Sequence, residues 1–254
     1  MASRGKGRGA VGWAAWAPIG LAAGLIGLGL LSLFYRDFAM VWQPVPKSWP
    51  NRPELATASG LILLASGVML LFRRSRPWGA ALAAVFVGLW VVVLHLPGAL
   101  ARPLELGGWQ AVCESLVIAT GAYLAGREAK AGGAERIAVV AMGLCFVVFG
   151  LSHFVYAAFT TSMVPTWLPA RLQLTYLTGG IHLAAGLAVI FGVQRRWAAV
   201  AEALMMTSFV LLVHIPRVFA HPNDRMESTG LFIAITLSSA VWTLAASGAA
   251  RQGR

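Results

Sequence analysis

The apolar residues of this chain come in blocks of about twenty, and that spacing leaves few folds open. A helix of such length crosses about 30 Å of hydrocarbon. The blocks do not alternate apolar with polar and are too long for barrel strands, which excludes a closed β-barrel. Helices are the remaining way to satisfy backbone groups in lipid. These features predict an all-α membrane protein with about eight transmembrane helices, near 11–34, 54–72, 78–97, 109–125, 137–159, 174–192, 196–216 and 229–248. Composition agrees, because 58% hydrophobic and 11% charged residues leave too little charge for the surface of a soluble domain of this size. The net charge of +11 collects at helix ends, so a lipid bilayer is the expected partner and nucleic acid is not. The first block follows Arg4, Lys6 and Arg8 and is longer than a secretory signal core, so it is expected to be retained as a span.

The second constraint is an internal repeat. Shifted by 119 positions, Val45-Pro46 falls on Val164-Pro165, Gly60 on Gly179 and Gly67 on Gly186. In the same register Arg76 and Trp78 meet Arg195 and Trp197, His95-Leu96-Pro97 meets His214-Ile215-Pro216, and Pro103 meets Pro222. With one residue of slack, Leu31-Ser32-Leu33-Phe34 also meets Leu151-Ser152-His153-Phe154. A register kept over this length is a repeat. It predicts two four-helix halves, residues 1–130 as a degenerate scaffold and 137–250 as the half that carries the candidate site. Thirteen of the twenty Lys and Arg residues, including every short basic turn, fall on one side of the predicted spans. Both termini are therefore expected in the cytoplasm. Four spans per half make the repeat parallel rather than inverted. The glycine pattern of the first span, Gly20, Gly24, Gly27 and Gly29, predicts close helix contact within the monomer. Gly7-Arg8-Gly9-Ala10-Val11-Gly12 matches GxGxxG, but no strand precedes it and a dinucleotide site is rejected.

Ionisable residues inside spans raise a functional question. His153, Tyr156 and Thr160 share one helix face, Thr175, Thr178 and His182 another, and His214 and Arg217 a third. Each stripe lies in the outer half of its span, so three adjacent helices are expected to converge them on one outward cavity. His153, Tyr156, Thr178, His182, His214 and Arg217 are the candidate ligand-binding residues. The first half offers Leu33, Leu63 and Gly98 in place of His153, His182 and Arg217. His95 matches His214, which points to a structural role for that pair, as a cap on carbonyls freed by the following proline. Pro216 is expected to loosen or end its helix. Glu202, opposite Ala83, is expected to pair with Arg195 or Arg196, and Glu114 could join the cavity from the first half. Trp42, Trp49 and Trp167 suit the membrane interface. Cys113 and Cys145 read as buried apolar residues, with no CxxC and no metal-ligand spacing.

Gly150-Leu151-Ser152-His153-Phe154, the Val-Pro-x-Trp-Leu-Pro element at 164–169, Tyr176 to Gly180, Ala184-Ala185-Gly186 and His214 before Pro216 together resemble the DoxX-like (DoxX/DoxD) family of bacterial integral membrane proteins. The resemblance covers about 137–248 and reaches the first half only through the repeat. It implies four-helix units, a bacterial inner-membrane location and redox-linked roles. One branch is associated with thiosulfate:quinone oxidoreductase and another with membrane partners of detoxifying enzymes, and the wider fold looks like sterol-handling membrane proteins. Two functional expectations follow. The first is an accessory or small-molecule-binding membrane component of a redox or stress system, with a redox enzyme as partner. The second is a quinone-linked oxidoreductase subunit, for which quinone is the implied cofactor. The sequence has no flavin, haem or metal motif.

Overall fold

A computed structural model describes residues 12–127 and 132–252. Arg4, Lys6, Arg8, Lys130, Arg254 and the glycine run from Gly7 to Val11 lie outside the described residues. Every regular element among the described residues is helical. In order they are α1 (Gly12–Tyr35), α2 (Arg52–Leu71), α3 (Arg76–Trp90), a π-helical turn (Val91–His95), α4 (Leu96–Ala101), α5 (Leu106–Ala125), α6 (Gly133–Val155), α7 (Ala157–Met163), α8 (Arg171–Phe191), α9 (Arg195–Phe209), a second π-helical turn (Val210–His214), α10 (Ile215–Ala220) and α11 (Arg225–Gln252).

Among the described residues seven stretches are long and apolar enough to cross a membrane: Trp16–Tyr35, Arg52–Leu71, Arg76–Ala101, Gly133–Val155, Arg171–Phe191, Arg195–Ala220 and Arg225–Ser247. The sequence predicts eight. The difference is α5, which is helical over 20 residues but carries Gln110, Glu114 and Ser115. It lies inside the bundle against α3, α6 and α11, so neighbouring helices rather than lipid surround its polar groups.

Pro97 and Pro216 do not end their helices. Each is preceded by a π-helical turn, in which the Leu96 N–H donates to the Val91 carbonyl and the Ile215 N–H to the Val210 carbonyl. A proline inside a helix removes one donor and crowds the carbonyl four residues back, and the wider turn relieves that crowding. The apolar stretches therefore run on to Ala101 and Ala220. His95 is buried, and its Nε2 has no hydrogen-bond partner among the described residues.

Glycines set the closest helix contacts. A methyl on Gly24 would strike the Thr236 side chain and one on Gly27 the Phe232 ring, so α1 presses directly on α11. Gly29 lies 2.7 Å, by the same measure, from the Gly60 carbonyl on α2. The glycines of the first span thus serve contact within the chain. Gly143 and Gly150 on α6 approach the carbonyls of Gly186 and Gly179 on α8 in the same manner. Close backbone approach of this kind is how helices gain packing where lipid offers no hydrophobic drive. Cys113 on α5 and Cys145 on α6 are free and buried.

One end of the bundle is tied by charge. Asp37, just after α1, pairs with Arg52 at the start of α2 and, at 3.1 Å, with Arg225 at the start of α11. Arg225 also donates to the Phe38 carbonyl and lies 4.7 Å from the Tyr35 ring centre. Beneath this knot Trp42 is buried rather than interfacial, packed edge-on against Trp90 with ring centres 5.0 Å apart. Trp49 and Trp167 are exposed, as an interface position requires.

Candidate ligand-binding site

Helix α6 stops at Val155, and Tyr156 takes a non-helical conformation at φ −106, ψ 35 before α7 begins. His153 and Thr160 therefore sit on different helices, not on the single stripe predicted from the sequence. The break turns α7 and the segment to Leu168 across the end of the bundle. Beneath them lies a cavity of about 430 Å³ bounded by α5, α6, α7, α8, α9 with its π-turn, and α11. Most of its wall is apolar, with Phe149, Phe159, Met163, Leu174, Met206, Phe209, Leu212 and Leu237 among the lining residues. That size and character suit a small lipid-soluble molecule.

The polar lining is concentrated on facing helices. His153, Thr178, His182 and His214 all reach the cavity, joined by Thr160, Thr175 and Ser208. Glu114 and Gln110 enter it from α5, in the first half of the chain. Two candidates stay outside. The Tyr156 hydroxyl accepts from the Gly107 N–H at 3.0 Å, tying the helix break to the start of α5. Arg217 is held by both carboxylate oxygens of Glu227, with Nε 2.7 Å from Oε2. It is not part of the cavity wall.

His182 sits at the middle of α8, deeper than the outer half of the span predicted for it. Its Nδ1 lies 2.5 Å from Oε1 of Glu202 on α9, and both side chains are almost wholly removed from solvent. Glu202 therefore pairs with His182, not with Arg195 or Arg196. Arg195 instead turns its Nε to the Val189 carbonyl at 3.2 Å. The second carboxylate oxygen of Glu202 is buried without a partner. A charged or proton-sharing pair at this depth is costly to bury and needs a reason beyond packing. His153 lies beside it, with ring centres 4.9 Å apart, and Phe149 and Phe209 flank the two imidazoles. His153 Nδ1 is 2.9 Å from the Phe149 carbonyl one turn back. Among the described residues no group of three or more His, Cys, Asp or Glu side chains is arranged to hold a metal ion.

Sequence reasoning missed Glu202 as a member of this site. A signal was present: Leu63 and Ala83 are both apolar where His182 and Glu202 are both ionisable. Two polar replacements that appear together across a repeat are better read as one pair than as two accidents.

A family model described as a domain of unknown function, DUF8561, matches residues 142–244. Those residues hold α7, α8, α9, α10 and most of the cavity wall. No curated protein matches the chain. No solved structure matches it either.

Proposed function

We propose that this chain is a DoxX-like multi-pass protein of a bacterial inner membrane that binds a lipid-soluble small molecule in its second half, as an accessory component of a redox or stress system. The observation that carries the proposal is the largely apolar cavity with His153 and His182 in its wall, His182 being backed by buried Glu202. A fold needs neither an empty space of that size nor a buried acid–base pair beside it.

The reading includes two parallel, related halves, both termini cytoplasmic, with only the second half open to ligand. Helix starts support it: Arg52 and Arg171, Arg76 and Arg195, Val91 and Val210, Leu96 and Ile215, and Leu106 and Arg225 all keep the 119-residue register. Asp37 and Tyr156 keep it too, and each ties the end of its helix to the first turn of a helix in the other half, Arg225 or Gly107. A methyl on Gly60 would meet Ser32 Cβ at 3.0 Å, and one on Gly179 would meet His153 Cβ at 2.8 Å. By packing, then, Ser32 rather than Leu33 stands in the place of His153. The same register accounts for the placing of this cavity in the second half: Trp42 and Trp90 occupy the positions where Thr161 and Phe209 stand there. Cysteine labelling from the periplasmic side tests the topology. It should reach a residue placed at Asn223 and miss one placed at Ser75, and the reverse result overturns the orientation.

The binding proposal is tested by purifying the protein in mild detergent and identifying co-purified lipids by mass spectrometry. A variant with Thr161→Trp and Phe209→Trp, which copies the first half, should lose them while remaining folded. Retention of the same lipids in that variant would place the ligand elsewhere. The alternative, a quinone-linked oxidoreductase subunit of the thiosulfate type, draws on the two adjacent imidazoles, which suit proton exchange with a quinone. Thiosulfate-dependent quinone reduction by the purified chain, alone or with a redox-enzyme partner, would favour it. The pairing of Arg217 with Glu227 removes the cation that such a site would use to attract an anion.

A further inference from the structure

The hydrogen-bond accounting of the cavity wall restricts the chemistry of its occupant. A carbonyl oxygen can only accept, so the 2.9 Å contact with Phe149 requires His153 Nδ1 to carry the proton. The neutral ring then presents a bare lone pair at Nε2. His182 Nδ1 likewise faces a carboxylate oxygen at 2.5 Å, which leaves its Nε2 as the atom free for a ligand.

Three of the four wall hydroxyls, those of Thr175, Thr178 and Ser208, have also spent their protons. Thr178 donates to the Leu174 carbonyl at 2.9 Å, Thr175 to the Arg171 carbonyl at 3.1 Å and Ser208 to the Met205 carbonyl at 2.6 Å. Each is a bond back to its own helix, and each leaves oxygen lone pairs facing outward. The Gln110 amide donates to Glu114. No Lys or Arg lines the cavity. His214, beside Gly230, can serve in either role. Around His153 and His182 the wall therefore offers more acceptors than free donors.

We infer that the ligand of this cavity carries a hydroxyl on an apolar body and donates it to His153 Nε2, so that the site selects an alcohol or phenol over the corresponding ketone, quinone or ether. This inference rests on the binding reading above and deepens it. Burying a carbonyl against these acceptors would leave both sides unsatisfied, whereas a hydroxyl satisfies one of them. A lipid quinol and a hydroxysterol share this chemistry.

The experiment compares 4-nonylphenol with 4-nonylanisole, its methyl ether, for binding to the full chain in nanodiscs by tryptophan quenching or calorimetry. The phenol is expected to bind about tenfold more tightly, the worth of one buried hydrogen bond. The ratio should approach one in His153→Leu and persist in Thr57→Val on the far side of the bundle. Protein labelled with 15N-histidine provides a readout that needs no variant. The phenol should shift one Nε2 resonance and the anisole should not. Decylhydroquinone and a 3-hydroxysterol then separate the two sources, the tighter naming the natural body. Equal binding of phenol and anisole to the wild type, or a ratio that survives in His153→Leu, overturns the inference while leaving the cavity as a binding site. Failure of every probe to bind overturns the binding reading as well.

Discussion

His182 and Glu202, twenty positions apart in the sequence, meet at 2.5 Å across the interface of α8 and α9 with neither side chain in contact with solvent. At the matching positions of the first half stand Leu63 and Ala83, both fully buried. The same packing problem is thus solved once with apolar groups and once with an acid and a base.

That contrast predicts an asymmetric mutational cycle. His182→Leu alone strands the Glu202 carboxylate and should cost about 3–5 kcal/mol. The double variant His182→Leu, Glu202→Ala copies the first half and should recover most of that loss. Thermal unfolding in detergent measures both. A double variant no more stable than the single one would show that the pair is needed for folding, against a functional origin.

The first half should be sensitive where the second is tolerant. Trp42→Ala removes a fully buried indole packed edge-on against Trp90 and should cost about 3–5 kcal/mol. Phe209→Ala, on a wall that already borders empty space, should cost less than half as much. Comparable melting temperatures for the two variants would contradict this.

The charge knot at the end of the bundle has a pH signature. Burial opposes ionisation of Asp37, but hydrogen bonds from Arg225, the Phe38 N–H and Arg52 outweigh it and hold the carboxyl below its ordinary value of 3.8. A group whose folded value is depressed stabilises fully above the unfolded value, and that contribution is lost as pH falls through the folded one. Stability from this source should therefore be constant from neutral pH to about 4 and decline below it. Asp37→Asn should be less stable at pH 7 and should decline less in acid. Superimposable acid profiles for wild type and variant would remove Asp37 as the cause.

Arg217 makes its contacts with Glu227, not with the cavity. Arg217→Leu should lower stability, by leaving a largely buried carboxylate without its partner, yet leave the affinity for an uncharged ligand within about twofold. A large loss of affinity, with stability unchanged, would return Arg217 to the binding site.

Much of the fold was legible because it follows from local chemistry. Blocks of about twenty apolar residues in lipid admit helices and little else, and the helix starts at Arg52-Pro53 and Arg76-Pro77 are marked by proline in the first turn. Helix α5 has the length of a span but not the apolarity, because Gln110, Glu114 and Ser115 sit on a helix that neighbouring helices cover. His153, Thr178, His182 and His214 were placed near one another by helical spacing alone. Tyr156 and Arg217 were not separated from them, because spacing records the face of a helix and says nothing of where that helix breaks or which carboxylate waits opposite.

The sequence by itself therefore determined the helical class, the membrane-length stretches, the 119-residue register and the set of polar residues that depart from it. Only the tertiary structure decided that Glu202 belongs to His182, that Arg217 belongs to Glu227, that Pro216 is absorbed by a π-turn and that Trp42 is buried against Trp90. The division has a physical cause. Helix formation and transfer into lipid are summed over neighbours along the chain, whereas an ion pair or a cavity depends on atoms a few ångströms apart in space that may be far apart in sequence.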